Sequence, residues 1–209
     1  MTSHYFSADA TGPERRQAIT PTVWGRELRL LTANGVFASD WLDRGTAVLF
    51  RESPIPTGQP RILDLGCGYG PIALAIAQAC PGALVDAVDV NERALELCRD
   101  NARALGVADR VQVLRPEEAD PNTRYDEIWS NPPIRIGKEP LHALLLHWLD
   151  RLRPDGMARL VVGKNLGADP LQRWLGEQGY AVQRVASAKG FRVLVVRRPE
   201  GTSQLIDPA

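Results

Sequence analysis

From residue 61 to residue 197 short apolar runs alternate with segments of helical spacing, and this limits the fold more than any other feature of the chain. "RILDL", "LVDAVDV", "VQVL", "YDEIWS" and "MARLVVG" read as buried strands. "PIALAIAQA", "NERALELCRDNARALG", "PLHALLLHWLDRL" and "DPLQRWLGEQG" read as helices between or after them. Asn91 can cap the second of these, Glu92 lies in its first turn and Gly106 ends it; "RPDG" is expected to close the third. The last two strands, "AVQRVAS" and "FRVLVVRR", are joined only by "SAKG", too short for a parallel crossover, so the final strand is expected to run antiparallel. The expected fold is α/β: seven strands, mostly parallel, one reversed at or near the edge, with helices on both faces.

A chain of 209 residues with 44% apolar residues fits one domain with a proper core. Formal net charge is zero, which excludes a general polycation for nucleic acid. A local basic surface stays open, because nearly all basic residues are Arg and the only lysines are Lys138, Lys164 and Lys189. Cys67, Cys80 and Cys98 have no metal-ligand spacing, so no metal is expected, and their odd number suggests a reducing compartment. No apolar run reaches the roughly 18 residues of a membrane span. "MTSHYFSADATGPERR" has no apolar core like that of a signal peptide, so a cytoplasmic protein is expected. Residues 1 to 50 lack a long periodic pattern, "ESPIPTGQP" reads as a connection, and "PEGTSQLIDPA" as a frayed tail.

In an open α/β sheet, ligands bind beyond the carboxyl ends of the strands. "LDLGCGYGP" occupies that place after the first strand, where Gly66, Gly68 and Gly70 allow a tight turn and close approach. Pro71 suits the first position of the following helix. The spacing lacks the third glycine of the dinucleotide fingerprint, and Asp64 at the strand end would repel a pyrophosphate while tolerating an ammonium or sulfonium cation. Asp89 ends the second strand, 19 residues after Gly70, where a carboxylate can accept from both ribose hydroxyls or, alternatively, cap the helix near Asn91. Glu117 can accept from an adenine amino group, with Glu118 and Asp120 as competitors and a solvated acidic loop as the plain alternative.

Together "ILDLGCGYGPIALAIA", "VDVNERALELCRDNA" and "SNPPIRIGK" resemble the class I S-adenosylmethionine-dependent methyltransferases, and more closely small bacterial enzymes like the catalytic half of the 16S rRNA guanine-N2 methyltransferases. "HYFS" and "LTANGVFASDWLDRGTAVLF" resemble that group's "GVFS…LD.GT" segment, so the likeness runs from His4 to about Arg197. It implies a Rossmann-like domain over residues 51–198, an N-terminal extension or lid over 1–50 packed on it, and a flexible tail over 199–209. It implies S-adenosyl-L-methionine as cofactor, with Asp64, Gly66, Cys67 and Gly68 around its methionine part and Gly70 in the same loop. Asp89 would hold the ribose and Val90 flank the adenine; Phe37, Asp43 and Thr46 would lie over or beside the cofactor, Phe37 being otherwise an ordinary core aromatic.

Consecutive prolines do not fit inside a central strand, so Pro132 and Pro133 mark either a plain turn or a rigid device aiming Asn131. The resemblance favours the device. The Asn131 side-chain oxygen, which would also border the cofactor, and the Pro132 carbonyl can accept both hydrogens of an exocyclic amine and turn its lone pair toward a sulfonium methyl. Many relatives carry an aromatic residue after the second proline; here it is Ile134, which leaves the stacking partner and the exact base open. Arg135 and Lys138 can touch RNA phosphates or form a solvated helix start, and His142 and His147 read as helix residues without catalytic work. The expected function is methyl transfer to a guanine N2 in small-subunit rRNA, with RNA contacts from residues 1 to 50, a homodimer or the ribosomal particle. A methyltransferase for a small amine metabolite or a protein amide, a binding module without turnover and a nicotinamide dehydrogenase are the competing classes.

Overall fold

The computed structural model describes residues 15–38 and 40–199. His4, "HYFS", the segment read against a signal peptide up to residue 14 and the tail from 200 onward lie outside the described residues. Four short strands come first: β1 (Arg16–Ile19), β2 (Thr22–Val23), β3 (Arg26–Glu27) and β4 (Leu30–Ala33), followed by α1 (Arg44–Arg51). Then β5 (Arg61–Leu65), α2 (Pro71–Ala79), β6 (Leu84–Val88), α3 (Glu92–Ala104), β7 (Val111–Leu114) and β8 (Tyr125–Ser130) alternate. The series ends with α4 (Lys138–Leu149), β9 (Leu152–Gly163), α5 (Ala168–Glu177), β10 (Ala181–Ala188) and β11 (Phe191–Arg197).

The main sheet has seven strands in the order β10-β11-β9-β8-β5-β6-β7. Only β11 is reversed, pairing antiparallel with both β9 and β10, so the odd strand stands second from the edge. The chain runs outward from β5 through β6 to β7, then returns to the other side of β5 for β8 and β9. The β5–β8 junction is therefore the switch point, where the crevice of such a sheet opens.

Alternate residues of each strand feed opposite faces. Ile62, Val85, Ala87, Trp129 and Val161 pack with α1, α2 and α3. Leu63, Leu65, Ile128, Leu160 and Val162 pack with α4 and α5. Each such fully buried aliphatic side chain contributes roughly 1.5–3 kcal/mol. Trp129, expected as a strand core residue, is fully buried and donates its Nε1–H to Glu127 at 2.8 Å.

Two local expectations need correction. "RPDG" does not close α4: the helix ends at Leu149, and 153–156 lies inside the long strand β9 as a bulge. Tyr125 pairs with Leu152 but Glu127 with Met157, so three extra residues loop out of the ladder. Gly156 permits this, since a Cβ there would sit 2.9 Å from the Tyr125 carbonyl oxygen. The link between β10 and β11 is Lys189 and Gly190 alone, at φ 49° and 82°, not four residues. Positive φ at both positions matches the twist of a two-residue hairpin. The unpatterned N-terminal part also contains strands: Trp24 and Gly25, at φ 48° and 75°, turn β2 into β3, and β1 pairs antiparallel with β4.

Candidate active site

At the carboxyl end of β5 the chain turns through Gly66, Gly68 and Gly70, all at positive φ (75°, 55° and 95°). The Gly66 and Cys67 amides donate to the Val88 carbonyl at 2.8 and 3.0 Å, which ties the loop to β6. The Gly68 amide donates to one Asp89 oxygen at 2.8 Å, and the Asn91 amide to the other at 2.9 Å. Asp89 thus holds the loop and its own turn, while the cap of α3 is Asn91, which accepts from the Ala94 amide. Each Asp89 oxygen keeps a second lone pair for an incoming hydroxyl.

Asp64 is fully buried and accepts from the Ala73 amide at 2.9 Å, capping α2 from the neighbouring strand. Its other oxygen is buried without a partner. Burial, reinforced by the charge of Asp89 and opposed by the Ala73 amide, raises its pKa from 3.8 to about 7. The Tyr69 hydroxyl is a second buried, unpartnered atom of the same loop. Burial and the charge of Asp43 push its pKa upward. Burial and the neighbouring Cys98 thiol likewise raise the Cys67 thiol, which favours an inert neutral sulfur.

Across the switch point, Ser130 donates to the Leu65 carbonyl at 2.7 Å and locks the end of β8 to the end of β5. Asn131 follows. Its side-chain NH2 donates to Asp43 Oδ1 at 2.7 Å and to Thr46 Oγ1 at 3.1 Å. Both amide hydrogens are engaged, so Oδ1 is the free end of the group. Asp43 also accepts from the Thr46 amide at 3.0 Å as the N-cap of α1. Pro133, at φ −75° and ψ 74°, forms a tight inverse turn in which the Ile134 amide donates to the Pro132 carbonyl at 2.8 Å. That carbonyl retains one lone pair. A Cβ on Gly66 would lie 4.0 Å from Pro133 Cδ, so the glycine loop and the proline pair face each other across the crevice.

The structure therefore brings together Asp64, Gly66, Cys67, Gly68, Gly70, Asp89, Asn131, Pro132 and Pro133. Thr46 is buried against the Asn131 amide. Phe37 is 69% exposed, which removes the core-aromatic reading, and Val90 is 42% exposed. The 34–35 turn preceding Phe37 is fastened beside Val90 by Asn91, which donates to the Gly35 carbonyl, and by Arg93, which donates to that of Asn34. Ile134 is half-buried beyond the turn. Among the three acids after β7, Glu118 accepts from the Arg115 amide and Asp120 from the Asn122 amide. Glu117 is exposed, with only a long 3.9 Å ion pair to Arg115. His142 stacks on Trp174 at 3.4 Å and His147 lies beside Arg151, both on the helices of the far face.

Three residues carry more of the site than their sequence signals showed. Asp43, expected only over or beside the cofactor, also grips Asn131. Tyr69 offers its orphan hydroxyl. Asn101 is buried on α3 and clamps β4 to the glycine loop, accepting from the Leu31 amide and donating to the Leu31 and Tyr69 carbonyls. Among the described residues no group of three or more His, Cys, Asp or Glu side chains can hold a metal. No helix among them is long and apolar enough to cross a membrane. A groove of about 480 Å³ lined by Arg61, Asp86, Arg103 and Arg110 lies at the amino ends of β5 to β7, away from this crevice.

A glycine loop, a ribose-competent acid and an Asn-Pro-Pro turn meeting at the switch point define a nucleoside-cofactor transferase of the α/β class. Residues 27–195 match the methyltransferase small domain, and the chain belongs to that family. It is 29% identical over 201 residues to the uncharacterized protein YbxB of Bacillus subtilis, covering 95% of this chain and 100% of that protein. It is 36% identical over 172 residues to ribosomal RNA small subunit methyltransferase C of Shewanella amazonensis, covering 80% of this chain and 48% of that one. Among solved structures it resembles the Thermus thermophilus 16S rRNA N2 G1207 methyltransferase in complex with AdoMet and guanosine, at a TM-score of 0.76 and 26% identity over 89% of this chain and 51% of that one. The chain thus spans about half the length of these rRNA enzymes.

Proposed function

We propose that this chain is an S-adenosylmethionine-dependent N-methyltransferase whose acceptor is the exocyclic N2 of a guanine in small-subunit rRNA. One observation carries the reading: the Asn131 amide is pinned by Asp43 and Thr46 so that its oxygen is the free end, beside the Pro132 carbonyl and opposite the glycine loop. The small-subunit rRNA relatives, and the guanosine bound by the Thermus enzyme, support this acceptor.

The residues present fit the cofactor. Asp89 would accept from its ribose hydroxyls, and Val90 and Phe37 offer exposed apolar surface for the adenine. Glu117 is the acid left for the adenine amine. The unpartnered oxygens of Asp64 and Tyr69 suit the polar end of the methionine part. When bound, the cofactor supplies an electrophilic methyl group on a sulfonium.

The chain's own residues act on the acceptor. A guanine amine is a weak nucleophile because its lone pair is delocalised into the ring. Asn131 Oδ1 and the Pro132 carbonyl accept its two hydrogens and favour a pyramidal nitrogen. Positive charge grows on that nitrogen in the transition state, so fixed acceptor dipoles stabilise it there more than in the ground state. One such preorganised bond is worth about 3 kcal/mol in barrier. No general base is needed first, since the proton leaves the cationic product to water.

Mass spectrometry of rRNA nucleosides, from cells with and without the gene, tests the proposal. Loss of one N2-methylguanosine is expected, restored by the wild type and not by Asn131→Ala. An unchanged nucleoside profile refutes the acceptor; full restoration by Asn131→Ala refutes the mechanism.

A further inference from the structure

We propose that the edge formed by the carboxyl ends of β8 and β9 and the amino end of β11 is a phosphate-binding rim, centred on Lys164 and Lys189, that holds the RNA strand leading into the site. The proposal rests on the reading of the acceptor as an RNA base.

Only three lysines occur in the chain, and the fold delivers all three, exposed, to the edge that carries Asn131. Lys138 opens α4 directly after the Asn131–Gly137 turns. Lys164 follows the last residue of β9, and Lys189 forms the hairpin turn beside it, since the Lys164 amide donates to the Gly190 carbonyl at 2.7 Å. Contacts lead from this corner back to the site. Gly163 pairs with Phe191, and the Phe191 ring lies 2.9 Å from where a Cβ on Gly45 would stand. Gly45 sits between Arg44 and Thr46, and Thr46 holds Asn131.

Charge pairing differs between the two halves of the edge. Arg44, Arg135, Lys138, Lys164 and Lys189 are exposed, and none makes an ion pair with a described residue. Around Lys164, Asp169 pairs with Arg184 and Arg192; beyond β6 and β7, Arg115 pairs with Glu92, while Arg93 donates to the Asn34 carbonyl and makes no ion pair with a described residue. Asp89, Glu117 and Glu118 also stand on that half. A polyanion is therefore drawn to the β8–β11 half and repelled from the cofactor half. Lysines suit this task, because a hydrated point charge positions a phosphate without reading sequence.

The test is binding of naked small-subunit rRNA, taken from a strain lacking the gene, between about 50 and 200 mM salt. Lys164→Glu/Lys189→Glu is compared with wild type and with Arg124→Glu, an exposed arginine at the amino end of β8. Two lost phosphate contacts should lower the slope of log affinity against log salt by about 1.4, at about 0.7 per single-strand contact. Affinity should fall by about tenfold or more at the low-salt end. The neutral pair Lys164→Gln/Lys189→Gln should give the same change of slope, and S-adenosylmethionine affinity should be unaltered in both pairs. Arg124→Glu should match wild type throughout. Wild-type slope and affinity in the lysine pairs overturn the rim, as does a wild type that does not bind the RNA. Methyl transfer is read separately: rim-dependent RNA binding without N2-methylguanosine refutes the acceptor and leaves the rim standing.

Discussion

Asp43→Ala is the perturbation that most directly probes how the acceptor site is aimed. Asp43 accepts from Asn131 at 2.7 Å, and Thr46 adds a second bond at 3.1 Å. A hydrogen bond to a charged partner is worth roughly 1.5–3 kcal/mol and a neutral one about 1 kcal/mol. The native amide orientation is therefore favoured by about 3–4 kcal/mol, since a flipped amide would turn its oxygen onto a carboxylate. Without Asp43, only the Thr46 hydroxyl remains, and it can donate or accept, so the bias vanishes. Asn131→Ala should cost about 10²–10³ in kcat, as the loss of one transition-state hydrogen bond does. Asp43→Ala should fall short of that, at roughly 10–100-fold, with KM for the cofactor little changed. Asp43→Asn keeps an accepting oxygen and an equally good N-cap, so it should lose about tenfold at most. Loss of the cap in Asp43→Ala costs about 1 kcal/mol of stability, which urea unfolding measures separately. A double-mutant cycle makes the decision. If Asp43 acts through Asn131, the double alanine variant is no slower than Asn131→Ala alone. A folded Asp43→Ala enzyme within twofold of wild-type kcat, or strictly additive losses, would refute the reasoning.

Asp64 predicts a pH dependence. Its folded pKa of about 7 lies above the ordinary 3.8, so its contribution to stability is full below pH 3.8 and is lost as pH rises toward 7. Compared with Asp64→Asn, the wild type should lose about 4 kcal/mol between pH 4 and pH 8 in urea titrations; parallel curves would contradict this. Gly70→Ala should lower stability by more than about 2 kcal/mol, because the new Cβ would meet Cys98 Sγ at 2.6 Å and Leu74 Cδ1 at 2.8 Å with φ at 95°. An unshifted thermal midpoint rejects that packing argument. Glu117→Ala should weaken S-adenosylmethionine binding by about tenfold, one lost hydrogen bond at about 1.4 kcal/mol, while Glu118→Ala leaves it unchanged. Calorimetry showing equal effects would return the choice of acid to open.

The sheet was legible because each strand from β5 to β8 is an apolar run ended by polar or turn residues, and the glycine loop marks where the first one stops. The reversed strand followed from the short link before Phe191, although the turn proved tighter still. Pro and Gly mislead at 153–156, since the same residues stop a helix and form a bulge. The partnership of Asp43 with Asn131 left no local trace, because 88 residues separate them and tertiary packing, such as that of α1 on β9 and β11, brings them together. β1 to β4 are two to four residues long, too short for any period to show. The preference for Glu117 over Glu118 and Asp120 in the proposal rests on which carboxylates the main chain already engages, and no sequence pattern shows that.

Insertion of β11 between β9 and β10 has a consequence for biosynthesis. The free edge of β9 cannot be zipped until Phe191–Arg197, the last of the described strands to be made, has left the ribosome. The platform beneath α1 is unfinished until then, so a nascent chain that already holds its glycine turn still lacks a settled grip on the Asn131 carboxamide. The grip on Asn131 thus settles only after Arg197 has been made, and a chain stalled before residue 191 would lack it.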